Sequence, residues 1–176
     1  HPLIQLMSWT ERFAIKKSDV IVSNLPNYGE YLKELGIDKE FKWISNGFAL
    51  DAMKKVKKLP LGTKNRIPNN KFIVGYVGTV GVANALDSFL ESFSYIDNEN
   101  ICYVVVGNGL EKNRLVEKYC SKSVIFIDPI PKDQVQSMLQ LFDVCFLGWQ
   151  KKILYKYGTS ANKIFDYMFS GKPIIN

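Results

Sequence analysis

Residues 71–78 read KFIVGYVG, a run of apolar and β-branched residues that ends in glycine. Similar runs follow at residues 101–107 (ICYVVVG), 124–128 (VIFID), 143–149 (DVCFLGW) and, in part, 173–175 (PII). Between consecutive runs, apolar residues recur at the three- and four-residue spacing of a helix. Continuous apolar strands that alternate with amphipathic helices predict an α/β fold whose mostly parallel sheet is covered on both faces, and right-handed crossovers make it doubly wound.

A shorter set of elements precedes this domain. The sequence predicts helices at residues 3–17 and 26–35 and strands at 19–24 and 41–45. Pro60, Gly62 and Pro68 then indicate a linker or a long loop. We therefore predict three parts, which are residues 1–50, a linker at 51–70 and the main domain at 71–176.

The formal net charge of +6 is concentrated in this linker. No acidic residue occurs from Ala52 to Leu86, a stretch that contains Lys54, Lys55, Lys57, Lys58, Lys64, Arg66 and Lys71. Such a block is usually a solvated surface, and it is also compatible with an anionic membrane face. Nucleic acid is a weaker interpretation, because the block lacks interleaved aromatic residues and no DNA-binding motif occurs. We predict no nucleic-acid partner.

Several classes of function are excluded by the composition. Cys102, Cys120 and Cys145 form no CxxC pair, which argues against a disulfide framework or a zinc site and for a reducing compartment. His1 is the only histidine, so triad or zinc chemistry centred on histidine is excluded. No apolar run approaches the roughly 20 residues that span a membrane, and no signal peptide pattern occurs. The expected location is cytoplasmic.

Both ends of the sequence suggest a piece of a longer protein. It begins with His1-Pro2 instead of methionine, and it stops at residues 172–176 within a predicted strand. We expect a domain that is truncated at both ends. Strand edges exposed in this way could pair between chains, so an oligomer is possible.

Ligands of doubly wound folds bind outside the carboxyl ends of the strands, so the strand ends are the first candidates for a site. Glycines there let backbone amides approach a phosphate, although each loop taken alone is equally well an ordinary strand-to-helix turn. The candidates after the first three strands are Gly78, Thr79 and Gly81, then Asn108 and Gly109, then Pro129 and Ile130.

The segment YGTSANKIFDYM at residues 157–168 is the most informative of these strand ends. Thr159 or Ser160 is expected to cap a helix whose first turn carries Asn162 and Lys163. The amides of that turn and the lysine charge could hold a diphosphate. Asp166, about one turn further on, could accept hydrogen bonds from sugar or ribose hydroxyls. The alternative is a capped helix with a solvated lysine and aspartate.

Together these residues resemble the retaining glycosyltransferases of group 1 (family 4), whose two Rossmann-like domains form the GT-B architecture. YGTSANKIFDYMFSGKPII looks like the bacterial branch that transfers amino- or deoxysugars in surface-polysaccharide or O-antigen assembly. GYVGTVG, VVVGNGLEKNRL and VIFIDPIPKDQV resemble successive parts of the C-terminal domain. ERFAIKKSDVIVSN and ISNGF resemble the end of the N-terminal, acceptor-side domain, so residues 1–50 would be its remnant.

The resemblance implies that residues 71–176 bind a nucleotide diphosphate sugar. By position, the Gly78–Gly81 loop would lie by the diphosphate, Asn108 and Gly109 near the nucleoside, and residues 129–131 against the base. Lys163 would bind the diphosphate, and Asp166 would replace the second glutamate of the family's paired-glutamate motif, near the ribose. The remaining expected donor contacts are Thr79, Ser160 and Asn162.

Two departures from the family pattern concern charge. The position of the first glutamate is Gly158, and the arginine and lysine that usually follow the first strand are absent, with Thr79 and Asn84 in that neighbourhood. We hypothesise that Lys163 substitutes for the missing charge.

The implied reaction is sugar transfer with retention, without a metal or a cofactor, from a donor that we expect first to be a UDP-sugar. The acceptor would be a glycan or a lipid-linked glycan, and the protein would lie in the cytoplasm or at the inner face of the cytoplasmic membrane. The fragment alone would transfer little or no sugar. Two alternatives remain open. An NAD-type oxidoreductase or epimerase would need GxGxxG and an acid about 20 residues on, which neither of the first two loops provides. A non-catalytic interaction module is the other.

The hypothesis about Lys163 predicts a selective defect. Lys163→Ala should weaken binding of a nucleoside diphosphate much more than binding of the nucleoside, because only the diphosphate carries the charge that the lysine would contact. Titration calorimetry with both ligands measures the difference. Equal losses for the two ligands would refute the assignment.

Overall fold

The computed structural model describes residues 1–96 and 98–176, with the backbone alone at residues 52, 53 and 154. The chain forms two compact units, one of residues 1–47 with 151–161 and one of residues 48–150 with 162–176. The predicted domains have other bounds, and they stay predictions.

The first unit is small and has a core of its own. Its elements are α1 (Pro2–Lys17), β1 (Ile21–Ser23), α2 (Tyr28–Glu34), β2 (Phe41–Trp43) and a 3₁₀ helix (Ile153–Tyr157). The two strands pair in parallel, with Ile21 opposite Phe41. Buried Ile15, Leu32 and Ile37 pack with Ile21 between the helices and the strands. As predicted, α2 ends before Gly36, whose left-handed φ of 68° lets the chain turn back.

The second unit contains the predicted parallel sheet. Its elements are α3 (Leu50–Lys54), α4 (Leu61–Lys64), β3 (Phe72–Val77), α5 (Leu86–Ser92), β4 (Ile101–Val106), α6 (Lys112–Tyr119), β5 (Val124–Ile127), α7 (Val135–Leu139), β6 (Val144–Phe146), α8 (Lys163–Ser170) and β7 (Ile174–Ile175). The strand order is β5-β4-β3-β6-β7, and every pair is parallel. The prediction of a doubly wound α/β sheet is confirmed.

This strand order places a topological switch point between β3 and β6. From β3 the chain adds β4 and β5 on one side, then crosses back to add β6 and β7 on the other. Connections therefore lead away from the β3–β6 gap in both directions, and a crevice opens at the carboxyl ends of these two strands.

Aromatic packing holds helices against both faces of the sheet. On one face, the Phe89 ring of α5 lies 4.6 Å from the Tyr103 ring and 4.2 Å from the Phe146 ring, between centroids. On the other, Gly75 leaves room for Phe142, because a Cβ atom at Gly75 would stand 2.1 Å from a carbon of that ring. Cys102 and Cys145 are buried and free, as their apolar surroundings predict, while Cys120 is exposed.

The segment predicted to be a linker or long loop contains α3 and α4 and makes polar contacts within the second unit. The Lys57 amide donates to the carbonyl oxygen of Asp133 at 2.8 Å, and its ammonium pairs with the Asp133 carboxylate at 2.8 Å. Arg66 donates to the carbonyl oxygen of Phe126 at 2.5 Å. Pro60, which indicated a break in the sequence, precedes the first residue of α4.

None of the helices in the described part of the chain combines the length and the apolar character that crossing a membrane requires.

Candidate functional site

The crevice at the switch point begins where β3 and β6 separate. β6 pairs with β3 only at Val74 and Gly75, whereas β3 continues to Val77. At this point a side chain of α8 hydrogen-bonds the backbone of Val77, the last residue of β3. The Val77 amide donates to the Tyr167 hydroxyl oxygen at 3.1 Å, and the hydroxyl also lies 3.4 Å from the Val77 carbonyl oxygen. The start of α8 is therefore fixed beside the carboxyl end of β3.

Lys163 lies one helical turn before Tyr167 and points to the same strand end. Its Nζ donates to the Tyr76 hydroxyl at 2.7 Å and to Asn84 Oδ1 at 2.6 Å. It also stands 4.3 Å from the centre of the Tyr76 ring. No carboxylate of the described residues pairs with this ammonium group. Burial lowers the Lys163 pKa to about 8, since removing water disfavours the charged form.

The two partners of Lys163 also fix the loop that follows β3. The Tyr76 hydroxyl donates to the Thr79 carbonyl oxygen at 2.6 Å, and the Asn84 side-chain amide donates to the same oxygen at 2.9 Å. Tyr76 is fully buried, and burial raises its pKa, so its hydroxyl stays protonated and can both donate and accept. The lysine thus belongs to a hydrogen-bonded cluster and leaves one ammonium N–H without a partner in the described part of the chain.

The loops after β3 and β4 pack backbone against backbone. A Cβ atom at Gly107 would lie 1.9 Å from the Gly78 carbonyl oxygen, and one at Gly109 would lie 2.2 Å from that of Val80. The Val80 amide donates to the Asn108 carbonyl oxygen at 2.8 Å. The structure thus brings the two predicted glycine loops together, with the predicted residues Thr79 and Asn108 exposed on them. Their contacts to a donor stay predictions.

The predicted site residue Asp166 is buried, with 7% of its surface exposed. Both of its carboxylate oxygens accept from Lys132 Nζ, at 2.5 and 2.6 Å. Lys132 follows the predicted residues Pro129 and Ile130 after β5, of which Pro129 is exposed and Ile130 half-buried. This ion pair joins the loop after β5 to α8.

The family of this chain follows from a comparison of its sequence with models of protein families. Residues 71–176, more than half of the chain, match the family model described as glycosyl transferases group 1. The chain belongs to the group 1 glycosyl transferases. The part that matches contains the whole five-stranded sheet and the contacts of Lys163, Tyr167 and Asp166, so the cluster around Lys163 lies in the glycosyl transferase domain. Among curated proteins, none matches this chain in sequence.

Solved structures of GT-B glycosyl transferases and related proteins share the fold. HepE of Anabaena in complex with UDP and glucose is 15% identical with a TM-score of 0.68, over 93% of this chain and 45% of HepE. Sucrose-phosphate synthase of Thermosynechococcus elongatus is 16% identical with a TM-score of 0.70, over 93% and 42%. A TarM mutant of S. aureus, in a complex that contains UDP, is 16% identical with a TM-score of 0.58, over 88% and 28%. The chain therefore spans less than half the length of these proteins.

The predicted cap of α8 is wrong. The helix begins at Lys163, its N-cap is Asn162, and no side chain makes a cap hydrogen bond there. Thr159 and Ser160 lie instead in the first unit, where the Ser160 carbonyl oxygen accepts from the Asn46 side chain at 2.8 Å. An N-cap pattern is a local signal. The sequence therefore could not show that residues 151–161 belong to the first unit and not to the unit that contains the five-stranded sheet. Contacts of Ser160 and Asn162 with a donor stay predictions.

Sequence reasoning missed Tyr76, Lys132 and Tyr167 as members of the site. Both tyrosines lie in apolar patterns. Such a pattern predicts a core residue and gives no indication that its hydroxyl group makes a contact in the site. Lys132 follows Pro131 at the start of a 3₁₀ helix, and nothing in the spacing indicates which acid it meets. No three His, Cys, Asp or Glu side chains within residues 1–96 and 98–176 converge in a way that could hold a metal ion. Metal independence stays a prediction.

The hydrogen bond from the Val77 amide to the Tyr167 hydroxyl should contribute to the stability of the fold. Tyr167→Phe should lower the free energy of unfolding by about 1–3 kcal/mol, because the half-buried Val77 amide would lose its hydrogen-bond partner. Amide hydrogen exchange at Val77 should become faster. Urea unfolding and exchange measure the two effects, and Tyr95→Phe is the control because Tyr95 is 80% exposed. Equal stability of both variants, with unchanged exchange at Val77, would contradict the assignment.

Proposed function

We propose that this chain binds a nucleoside diphosphate sugar, with UDP as the first base to test, and supplies the donor side of a retaining, metal-independent sugar transfer. The observation that carries this proposal is Lys163. Its half-buried ammonium group has no acidic partner among the described residues, and it stands at the switch point of the sheet, where ligands of such folds bind. Its free N–H and its positive charge suit a diphosphate oxygen.

The chemistry assigned to Lys163 is stabilisation of the leaving group. When the bond between the anomeric carbon and the diphosphate breaks, negative charge builds on the diphosphate. A cation that Tyr76 and Asn84 already hold in place needs no reorganisation at that moment, which is the condition under which electrostatic stabilisation is most effective. The amides at the start of α8 would add a favourable dipole.

Asp166 has a different part in the proposal. Its buried carboxylate has lone pairs beyond the two directions that Lys132 occupies, so it could accept a hydrogen bond from a ribose hydroxyl. Lys132 would meanwhile keep this carboxylate from repelling the donor phosphates. Gly78, Gly81, Asn108, Gly109, Pro129 and Ile130 supply the surrounding donor contacts in this proposal.

The proposal also includes the base of the donor, the class of sugar and the acceptor. The similar fold of HepE, whose structures contain UDP or UDP-glucose, supports UDP as the first choice. The residues 157–175 support an amino- or deoxysugar and a bacterial surface polysaccharide. Lys54, Lys55, Lys58 and Lys64 are exposed, which suits an anionic inner face of the cytoplasmic membrane and a lipid-linked acceptor.

A ligand panel tests the donor proposal. We expect UDP, or one other nucleoside diphosphate among GDP, ADP and dTDP, to raise the melting temperature of the chain selectively, with CMP and NADH as comparisons. A ligand at 100 times its Kd should stabilise the chain by about 2.7 kcal/mol. A response to NADH alone would favour the oxidoreductase, and no response from a folded sample would favour the interaction module.

The Lys163 pKa predicts how donor binding depends on pH. In the free chain the lysine loses its proton as the pH rises through about 8. A bound diphosphate favours the ammonium form and raises that pKa, so UDP affinity should be highest below pH 8 and fall above it by up to about tenfold per pH unit. Calorimetry measures the slope between about pH 7 and pH 9, where the terminal phosphate is already ionised because its second pKa is about 6. Uridine binding, and UDP binding to Lys163→Ala, should show no such fall. The same slope in the variant would assign the titration to another group.

A further inference from the structure

A second cavity lies at the opposite edge of the sheet in the second unit. Its volume is about 510 Å³. Lys71 and Asp143, which precede the first residues of β3 and β6, are among its lining residues, so it opens at the amino ends of the strands. The donor site is proposed at the carboxyl ends. The two sites therefore lie at opposite ends of β3, and the cavity contains none of the residues proposed to contact the donor.

The floor and the rim of this cavity differ in chemistry. The floor is apolar, with Ile67 and Ile73 exposing 8% and 2% of their surfaces and Leu141 half-buried. The rim carries Lys64, Asn65, Asn69 and Lys71. Volumes of 300–1,000 Å³ are typical of sites for small molecules, and this cavity lies within that range.

Most of the polar groups of the rim are free to bind a ligand. In the described part of the chain, the side chains of Lys64, Asn65 and Asn69 make no hydrogen bond or ion pair. Lys71 donates only to the Ser123 hydroxyl, at 3.1 Å. Asp143 is the one acid in the lining, and its Oδ2 already accepts from the Ile73 amide at 2.7 Å. The rim thus has two cations and two amides facing a single, engaged carboxylate.

The rim is also held in place. It is formed by the end of α4 and the residues after it, and the Ile67 amide donates to the Lys64 carbonyl oxygen at 3.1 Å. Arg66, which lies between Lys64 and Ile67 in the sequence, donates a hydrogen bond to the Phe126 carbonyl oxygen. These bonds fix residues 64–67, the segment that contributes Lys64 and Asn65 to the rim.

We propose that this cavity binds a small organic anion, in which a phosphate or carboxylate group is attached to an apolar body. The anionic group would lie between Lys64 and Lys71, with the Asn65 and Asn69 amides as further donors. The apolar body would cover Ile67, Ile73 and Leu141. This inference is independent of the proposed donor, because it uses none of the residues around Lys163.

Phenyl phosphate is a suitable probe, because it combines both features and the two halves can be tested separately. In amide NMR titrations, phenyl phosphate should shift Asn65, Asn69 and Lys71. It should bind about tenfold more tightly than inorganic phosphate or phenol, since burying the ring and pairing the charge are each worth about 1.4 kcal/mol or more. Equal affinity for phenyl phosphate and inorganic phosphate would overturn the proposal, and so would shifts confined to the residues around Lys163.

Variants locate the interaction. Lys64→Ala should weaken phenyl phosphate binding about tenfold, the loss of one hydrogen bond to a charged group. Lys54→Ala is the matched control, because Lys54 is an exposed lysine of the same basic segment that does not line the cavity. Lys163→Ala should leave binding here unchanged, whatever its effect on UDP. Binding to Lys64→Ala with the affinity of the original chain would refute the site.

Discussion

The hydrogen bonds between the Tyr167 hydroxyl and Val77 fix the arrangement on which the proposed site depends. β6 pairs with β3 only as far as Gly75. On that side of β3, the last backbone groups of the strand therefore face a crevice instead of a neighbouring strand. Buried backbone groups need partners, and a hydroxyl can both accept and donate. Because this side chain belongs to α8, the strand end and the helix are fixed together, and Lys163, one turn earlier, meets Tyr76.

The two lysines of the site differ in what surrounds their charge. Lys132 is largely exposed at its side chain and has a buried carboxylate as partner. Lys163 is more buried, and its contacts are a hydroxyl, an amide oxygen and an aromatic ring. Neutral contacts leave part of its desolvation cost unbalanced, which is why its pKa is lowered. In the proposed function an arriving diphosphate would restore that balance, so the free energy of donor binding would be concentrated on the group that later stabilises the leaving phosphate.

The sheet and its order could be predicted because the signals that determine them are local. Each apolar run from residue 71 onward becomes a strand, and α2 ends before Gly36 as expected. The ends of elements and the partners of site residues depend instead on distant parts of the chain. The missing cap of α8 follows from the grouping of residues 151–161 with the first unit, and the Lys132–Asp166 pair joins residues 34 positions apart. The sequence therefore predicted Lys163 and Asp166 as site residues, an assignment that stays a prediction, but it could not indicate the groups that hold these two side chains.

The glycines after β3 and β4 show why a strand-end loop alone is weak evidence of a ligand. Gly109 was a candidate because glycine lets amides approach a phosphate. In the structure, however, the atoms nearest to a Cβ position at Gly107 or Gly109 are carbonyl oxygens of the neighbouring loop. Close backbone packing would require glycine here even without a ligand. The same residue type satisfies both demands, so its presence cannot distinguish them. A half-buried cation that has no acidic partner among the described residues is different, because packing alone gives no reason for it, and the proposed function therefore rests on Lys163.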